Sequence, residues 1–264
     1  MLRAFSLCAA AALAVVAAPA IAQSPLDGTW KVDASTTRID AKPDQFEVKG
    51  GMFNCTTCLP PISVKADGAF YPVKDRPYWD EIAVQVVNDR NLRSQYRKGG
   101  RVVGETRRQV SEDGQQLTIS SINTNNAAEL PITATTTATR VGPAPSGAHA
   151  VSGQWKVTPA TAISDAAVTM TVKVVGDRLQ LSTPTGETLD ATFGGAPALN
   201  VGNPGKMMTK AERPAPNAIR LTDMLQGKVV QVSTYTVAPD GTTLTAEWQD
   251  PRDDSKGSFV ARRQ

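Results

Sequence analysis

Apolar residues recur at every second position along much of the chain. Over 168–174, Val and Met at the even positions alternate with Thr and Lys at the odd positions, and over 82–86 Ile and Val alternate with Ala and Gln. Period two with β-branched residues predicts strands that bury one face. The pairs that favour tight turns are Asp67-Gly68, Gly99-Gly100, Asp113-Gly114, Gly176-Asp177 and Asp240-Gly241. The pattern therefore predicts an all-β antiparallel meander, as a sandwich or a barrel, and a closed barrel leaves no open edge.

Two segments of the sequence are repeated in the same order. GTWKV at 28–32 recurs as GQWKV at 153–157, an offset of 125 residues. GRVVGETRRQVSEDGQQLT at 100–118 recurs as GKVVQVSTYTVAPDGTTLT at 227–245, an offset of 127 residues. Because order and spacing are both preserved, the sequence predicts two copies of one structural unit.

The predicted units are residues 24–142 and 150–264. The segment VGPAPSGAHAVSG joins them, and its Pro, Gly and Ala content is typical of an exposed linker. The chain has few aromatic residues and many Thr, Val, Gly and Pro residues, which favours strands and turns over helix bundles.

Each unit opens on a Gly-x-Trp strand, with Trp30 or Trp155, and ends on a strand that carries arginine: Arg140 in the first unit, Arg262 and Arg263 in the second. This arrangement resembles the lipocalin and calycin group, in which a first-strand tryptophan packs under an arginine of the last strand and closes the barrel floor. The resemblance implies two tandem antiparallel lipocalin-like barrels. It also implies that Trp30 lies against Arg140, and Trp155 against Arg262 or Arg263.

The whole chain resembles a group of secreted, lipocalin-like bacterial proteins that have no established activity. The resemblance rests on the Gly-x-Trp-Lys opening, the segments CTTCLPP and ADGAFYPVKDRPYWDE, and the hairpin GRVVGETRRQVSEDG. It implies a location and a fold, and it supplies no substrate.

The first 22 residues have the pattern of a secretory signal peptide. Arg3 precedes an apolar run, and Ala20-Ile21-Ala22 provides the small residues of a cleavage site. The run is shorter than the roughly 20 residues of a membrane span. We therefore predict cleavage after Ala22 and a soluble periplasmic or secreted protein. Removing Arg3 lowers the formal net charge from +3 to +2. So small a charge does not indicate a nucleic-acid partner, and we expect none.

The mature chain would keep two cysteines, Cys55 and Cys58. A haem site would need His in place of Leu59, and a zinc site would need two more soft ligands, whereas the chain has the single His149. The two prolines after Leu59 oppose the helix that activates a thioredoxin-type pair. For an exported protein the prediction is a disulfide that stiffens a loop, with redox chemistry and metal ligation as the alternatives. The second unit has no equivalent pair.

Segment 90–108 is rich in arginine and is predicted to form a hairpin through Gly99-Gly100. Most of its arginines are expected on a solvated outer face, the alternative being a docking patch for anionic glycans or lipid head groups. In the two-residue alternation of the second predicted strand, Arg108 lies on the same face as Val102 and Val110, so we predict that it points inward. It would then pair either with the carboxylate of an apolar ligand or with a buried Asp or Glu.

Three aromatic residues, Tyr71, Tyr78 and Trp79, flank prolines in a segment predicted to lie at a barrel rim. They are expected either to pack against the barrel or to line a ligand mouth. With the cysteine pair close by in the sequence, they form the candidate ligand-binding site of the first unit.

The sequence contains no G-x-S-x-G, Walker or dinucleotide-binding motif, and its one histidine lies in the linker. We therefore expect no enzyme activity and no cofactor or metal. The leading hypothesis is an exported binding protein for a small apolar or amphiphilic ligand, or for an anionic envelope component. The alternatives are an envelope stress or redox protein that acts through Cys55–Cys58, and a structural scaffold with filled barrels.

Overall fold

The computed structural model of the protein describes residues 24–264, so the predicted signal peptide at 1–22 lies outside the described residues. The described chain is built of antiparallel strands, with a single turn of 3₁₀ helix at Asp165–Ala167. The strands of the first half are β1 (Gly28–Asp40), β2 (Asp44–Lys49), β3 (Met52–Cys55), β4 (Ile62–Lys65), β5 (Asp67–Pro72), β6 (Glu81–Asn88), β7 (Asn91–Lys98), β8 (Arg101–Val110), β9 (Gln116–Asn123) and β10 (Ile132–Val141). The strands of the second half are β11 (Gly153–Val157), β12 (Ala162–Ile163), β13 (Thr169–Val175), β14 (Arg178–Ser182), β15 (Thr188–Thr192), β16 (Ala198–Leu199), β17 (Met208–Ala215), β18 (Ala218–Leu225), β19 (Lys228–Val237), β20 (Thr243–Asp250) and β21 (Ser255–Arg263).

These strands form two nearly closed, barrel-like sheets, as predicted. The first barrel has the strand order β4-β3-β2-β11-β10-β9-β8-β7-β6-β5, with β12 paired to β10. Its two end strands, β4 and β5, are separated by Ala66 alone. The second barrel has the order β15-β14-β13-β1-β21-β20-β19-β18-β17-β16, and a bridge between Thr188 and Val201 joins its two ends.

The two barrels exchange their first strands. β1 belongs to the first repeat, but it lies between β13 and β21 in the second barrel. β11 is its counterpart in the second repeat, and it lies between β10 and β2 in the first barrel. The first barrel is thus the continuous segment 44–163, whereas the second combines 28–40 with 169–263. The boundaries 24–142 and 150–264 remain a prediction about the sequence duplication.

The connection between β1 and β2 explains the exchange. From Trp30 to Asp40, β1 runs along seven residues of β21, which is about 23 Å of strand. β2 begins at Asp44, directly opposite the floor tryptophan of its barrel, Trp155. Asp40 and Asp44 are four Cα steps apart and can be separated by at most about 15 Å. If β1 stayed in its own barrel, Trp30 would have to lie opposite Asp44. The paired part of β1 carries Trp30 about 23 Å from Asp40, whereas Asp44 lies within about 15 Å of Asp40. The two residues therefore cannot meet, and β1 enters the other barrel.

Each barrel floor consists of a tryptophan beneath an arginine, but the predicted pairing is wrong. The guanidinium carbon of Arg263 lies 4.4 Å from the ring centre of Trp30, and that of Arg140 lies 4.1 Å from the ring centre of Trp155. The strand exchange is the cause, because it brings the last strand of the chain beside Trp30. Arg262, predicted at the floor, is exposed at the surface.

Both floor arginines are held by backbone carbonyl oxygens. Arg140 donates to the carbonyls of Gly114, Ala150 and Ser152 at 2.6–2.7 Å. Arg263 makes the equivalent set of hydrogen bonds, to the carbonyls of Gly241, Pro25 and Asp27. The indole nitrogens of Trp30 and Trp155 donate to the carbonyls of Leu26 and Val151 at 2.9 and 2.8 Å. Each floor thus satisfies its buried polar groups with the chain segment that precedes Gly-x-Trp and with the glycine carbonyl of one hairpin turn.

The glycine of each Gly-x-Trp motif is required by both conformation and space. Gly28 has φ +137° and Gly153 has φ +125°, values that other residues rarely adopt. A Cβ atom would stand 2.5 Å from a terminal guanidinium nitrogen of Arg263 at Gly28, and 2.6 Å from that of Arg140 at Gly153. The motif therefore leaves room for the arginine of the closing strand.

Most of the predicted hairpins are confirmed. β7 and β8 meet through Gly99-Gly100, and the repeated segments 100–118 and 227–245 form the hairpins β8–β9 and β19–β20. Asp67-Gly68 is different, because it opens β5 at a register shift against β6 and does not form a hairpin turn.

The predicted linker is exposed over 141–147, but Val151 and Ser152 at its end are buried in the first barrel floor.

We predict that a double-mutant cycle will couple Trp30 to Arg263 and not to Arg140. Trp30→Leu combined with Arg263→Gln should show a coupling free energy of unfolding of about 0.5–2 kcal/mol, since a buried cation–π contact is lost. Arg262→Gln is the matched control on the exposed neighbour. Urea unfolding of the full chain measures each term, and a coupling between Trp30 and Arg140 would contradict the exchange.

We also predict that the fragment 41–164 folds alone, because it contains every strand of the first barrel. The fragment 24–142 lacks β11, and its own β1 cannot reach the vacant position. It should therefore aggregate or form a dimer in which two copies exchange β1. Size-exclusion chromatography and thermal melts of both fragments test this. A cooperative monomer of 24–142 beside an unfolded 41–164 would refute the prediction.

Candidate functional site

A cavity of about 440 Å³ lies between the two barrels and joins the parts of the predicted site. Leu59 and Pro60, from the loop that carries the cysteines, form one wall together with the rim aromatics Tyr78 and Trp79. The opposite wall comes from the second barrel, from the β18–β19 turn and the end of β20. The second-barrel residues that line the cavity are Leu225, Gln226, Lys228, Val230 and Arg252. We call this space the inter-barrel cleft.

Arg76 ties the two parts of the first wall together. Its guanidinium carbon lies 4.7 Å from the ring centre of Trp79, and its Nη2 donates to the carbonyl of Pro60. Trp79 in turn packs on Tyr96, with ring centres 4.9 Å apart. Burial lowers the pKa of Arg76, but an arginine remains charged at neutral pH. The cleft therefore contains a fixed cation beside an aromatic surface.

Cys55 and Cys58 form the predicted disulfide. Cys55 ends β3 and is buried, and residues 56–60 form bends with no helix, so no helix dipole acts on either sulfur. The Thr57 hydroxyl accepts a hydrogen bond from the backbone N–H of Gln45 at 2.9 Å, which fastens the loop to β2. The arrangement holds Leu59 and Pro60 in place as a wall of the cleft.

Tyr78 is the contact between the first barrel and the mouth of the second. Its ring lies against Gly205, where a Cβ atom would approach the ring carbon Cζ to 2.9 Å. Its carbonyl accepts a hydrogen bond from Asn125 Nδ2 at 2.6 Å. Burial raises the pKa of the Tyr78 hydroxyl. Because Tyr78 is fixed on both sides, it also fixes the width of the cleft.

The other two sequence-predicted site residues lie elsewhere. The Tyr71 hydroxyl donates to Asp67 Oδ2 at 2.7 Å on the surface of the first barrel, away from the cleft lining. Arg108 points into the first barrel, as predicted. Its guanidinium carbon lies 5.0 Å from the Phe46 ring centre, and its Nη1 donates to Ser94 Oγ at 3.3 Å.

Asp44, a half-buried acid of β2, forms no ion pair with Arg108 within the described residues. Burial raises the pKa of Asp44, and the positive charge of Arg108 offsets part of that increase. Both alternatives drawn from the sequence for the partner of Arg108, a ligand carboxylate and a buried acid, stay predictions. A space of about 210 Å³ lies beside Trp79 and Tyr96, and first-barrel residues such as Val103 and Thr106 line it.

The cleft is more basic than the chain as a whole. Its lining includes Arg76, Lys228 and Arg252 against the single acid Asp75. Arg252 is also paired with Asp250, with nitrogen–oxygen distances of 2.5–3.1 Å. Sequence reasoning missed Lys228 and Arg252 because each repeat was treated as a separate barrel. No local motif marks these two residues, and only the packing of the barrels brings them to the cleft.

No helix within residues 24–264 is long and apolar enough to cross a membrane. The same part of the chain contains no group of three or more His, Cys, Asp or Glu side chains placed to hold a metal ion. No protein-family model and no curated protein matches the chain.

Proposed function

We propose that this chain is an exported, non-enzymatic binding protein of lipocalin-like architecture that holds an anionic amphiphile in the inter-barrel cleft. The observation that carries the proposal is the cleft itself, a 440 Å³ space with aromatic and aliphatic walls and cations at its edge. Its volume falls in the usual range of small-molecule sites.

The side chains of the cleft suit the two ends of such a ligand. Leu59, Leu225 and Val230 offer an apolar surface for an alkyl chain, and Trp79 adds a flat aromatic one. Arg76 and Lys228 form no ion pair within residues 24–264, so both charges remain for an anionic head group. A fatty acid combines a carboxylate and an alkyl chain in this way.

The proposed function also explains why only the first repeat has a cysteine pair. The disulfide loop supplies Leu59 and Pro60 to one wall, whereas the second barrel meets the cleft with a hairpin turn and needs no such loop. The redox hypothesis has less support, because the loop lacks the helix that would stabilise a thiolate. Periplasmic or secreted location remains part of the proposal and rests on the sequence of residues 1–22.

We predict that dodecanoate binds the full chain more tightly than dodecanol. The double variant Arg76→Gln, Lys228→Gln should weaken dodecanoate binding tenfold or more, since a charge-assisted hydrogen bond contributes about 1.5–3 kcal/mol. Binding of dodecanol should change little. Isothermal titration calorimetry measures both ligands.

Lys173→Gln is the control for this experiment, because it removes an exposed lysine of β13 outside the cleft. Lys228→Gln alone serves if the double variant disturbs the Arg76–Trp79 contact. Equal affinity for dodecanoate and dodecanol, or an unchanged dodecanoate affinity in the variants, would argue against the cleft as the site.

We predict that Cys55→Ser, Cys58→Ser leaves both barrels folded. So short a loop should cost at most about 2 kcal/mol of unfolding free energy. Affinity for dodecanoate should fall, because Leu59 and Pro60 lose their anchor. Thermal melts and calorimetry test these two effects. A thiol pKa below about 7 in the reduced protein, with rapid turnover of a disulfide substrate, would support the redox hypothesis instead.

A further inference from the structure

The interior of the second barrel contains a separate cavity of about 220 Å³. Its apolar part is formed by Met170, Leu181, Leu189 and Leu221. Its polar part includes two carboxylates, Asp223 and Glu187, and none of the lining residues is a lysine, an arginine or a histidine. The cavity therefore combines an apolar wall with two carboxylates and no lining cation.

Asp223 is the inner carboxylate of this cavity. Thr209 Oγ1 donates to its Oδ1 at 2.5 Å, and no ion pair reaches Asp223 within the described chain. Burial and the nearby Glu187 raise the pKa of Asp223, while the Thr209 hydrogen bond opposes them. A buried carboxylate without a cation is unfavourable, and an ammonium group would relieve that cost.

The first barrel shows what compensation looks like at the same positions. Arg108 of β8 corresponds to Tyr235 of β19 at the repeat offset, and Asp44 corresponds to Met170, because each lies opposite the floor tryptophan of its barrel. In the first barrel, the positive charge of Arg108 thus lowers the pKa of Asp44 against the effect of burial. The second barrel has neither member of that pair, and it carries Asp223 where the first barrel has Tyr96.

We propose that the second barrel binds a small organic cation, a protonated primary amine with an apolar body, with its ammonium group on Asp223. The site is distinct from the inter-barrel cleft and goes beyond the function proposed for it. An apolar cavity of about 150 Å³ can hold benzene, so 220 Å³ holds an aromatic or short alkyl amine. Glu187 and Thr183 also line an adjoining cavity of about 250 Å³ that reaches Tyr78, and this cavity leads toward the cleft.

The test compares benzylamine with benzyl alcohol, which has a similar shape and no charge. Calorimetry on the full chain should show at least tenfold tighter binding of benzylamine. Asp223→Asn should lower benzylamine affinity at least tenfold and leave benzyl alcohol unchanged. Asp190→Asn is the matched control, because it removes an exposed acid of β15 outside the cavity. Methyl NMR signals of Met170 and Leu221 should shift on binding, which places the ligand inside the barrel.

Three outcomes would overturn the proposal. They are equal affinity for the amine and the alcohol, benzylamine binding that Asp223→Asn does not weaken, and shifts confined to the inter-barrel cleft. Tighter binding of Ca²⁺ than of benzylamine, lost in Asp223→Asn, would replace the amine site with a metal site. If Asp223→Asn does not fold, Glu187→Gln removes the second carboxylate, at the cavity entrance. A several-fold loss of benzylamine affinity is then expected. Dodecanoate binding in the cleft should be normal in each variant, so the two proposals fail separately.

Discussion

The short connection between β1 and β2 determines how the whole molecule is assembled. Three residues, 41–43, cannot carry the chain from the far end of a fully paired β1 back to the floor of the same barrel. The connection between β12 and β13 has five residues and is less restrictive. Once β1 occupies the second barrel, however, the first barrel needs another Gly-x-Trp strand. β11 supplies it, because the β10–β11 hairpin already holds that strand beside β10.

The exchange has a mechanical consequence for the cleft. The chain crosses between the barrels twice, once after β1 and once after β12. Neither barrel can therefore move away without losing a strand. Contacts at the facing rims then set the geometry. The Tyr78 ring lies against Gly205, and the backbone N–H of Ala128 donates to the Thr185 carbonyl at 3.0 Å. A cavity formed by two separate sheets can therefore keep a fixed shape.

The sequence was sufficient to predict the strands, most of the turns and the inward position of Arg108, whereas the floor partners implied by the lipocalin resemblance were wrong. These features follow from local patterns, and an alternation of period two identifies a buried face wherever the strand lies. It was not sufficient to predict which barrel receives which first strand. GTWKV and GQWKV are nearly identical, so either strand fits either floor, and the choice depends on the length of a connection. The second wall of the cleft was missed for the same reason, since Lys228 and Arg252 meet Trp79 only through packing between the repeats.

The two halves of the chain have diverged in a way that follows from their polar chemistry. At the floors, Arg140 and Arg263 bind backbone carbonyls, a role that few other side chains can fill, and both repeats retain it. Interior positions lack that constraint, because a residue there needs only to fit the cavity and to have its charge balanced. In the first barrel, the positive charge of Arg108 acts on the half-buried Asp44. In the second, no cation lies among the cavity-lining residues beside Asp223, and the proposed ammonium ligand would supply the missing positive charge.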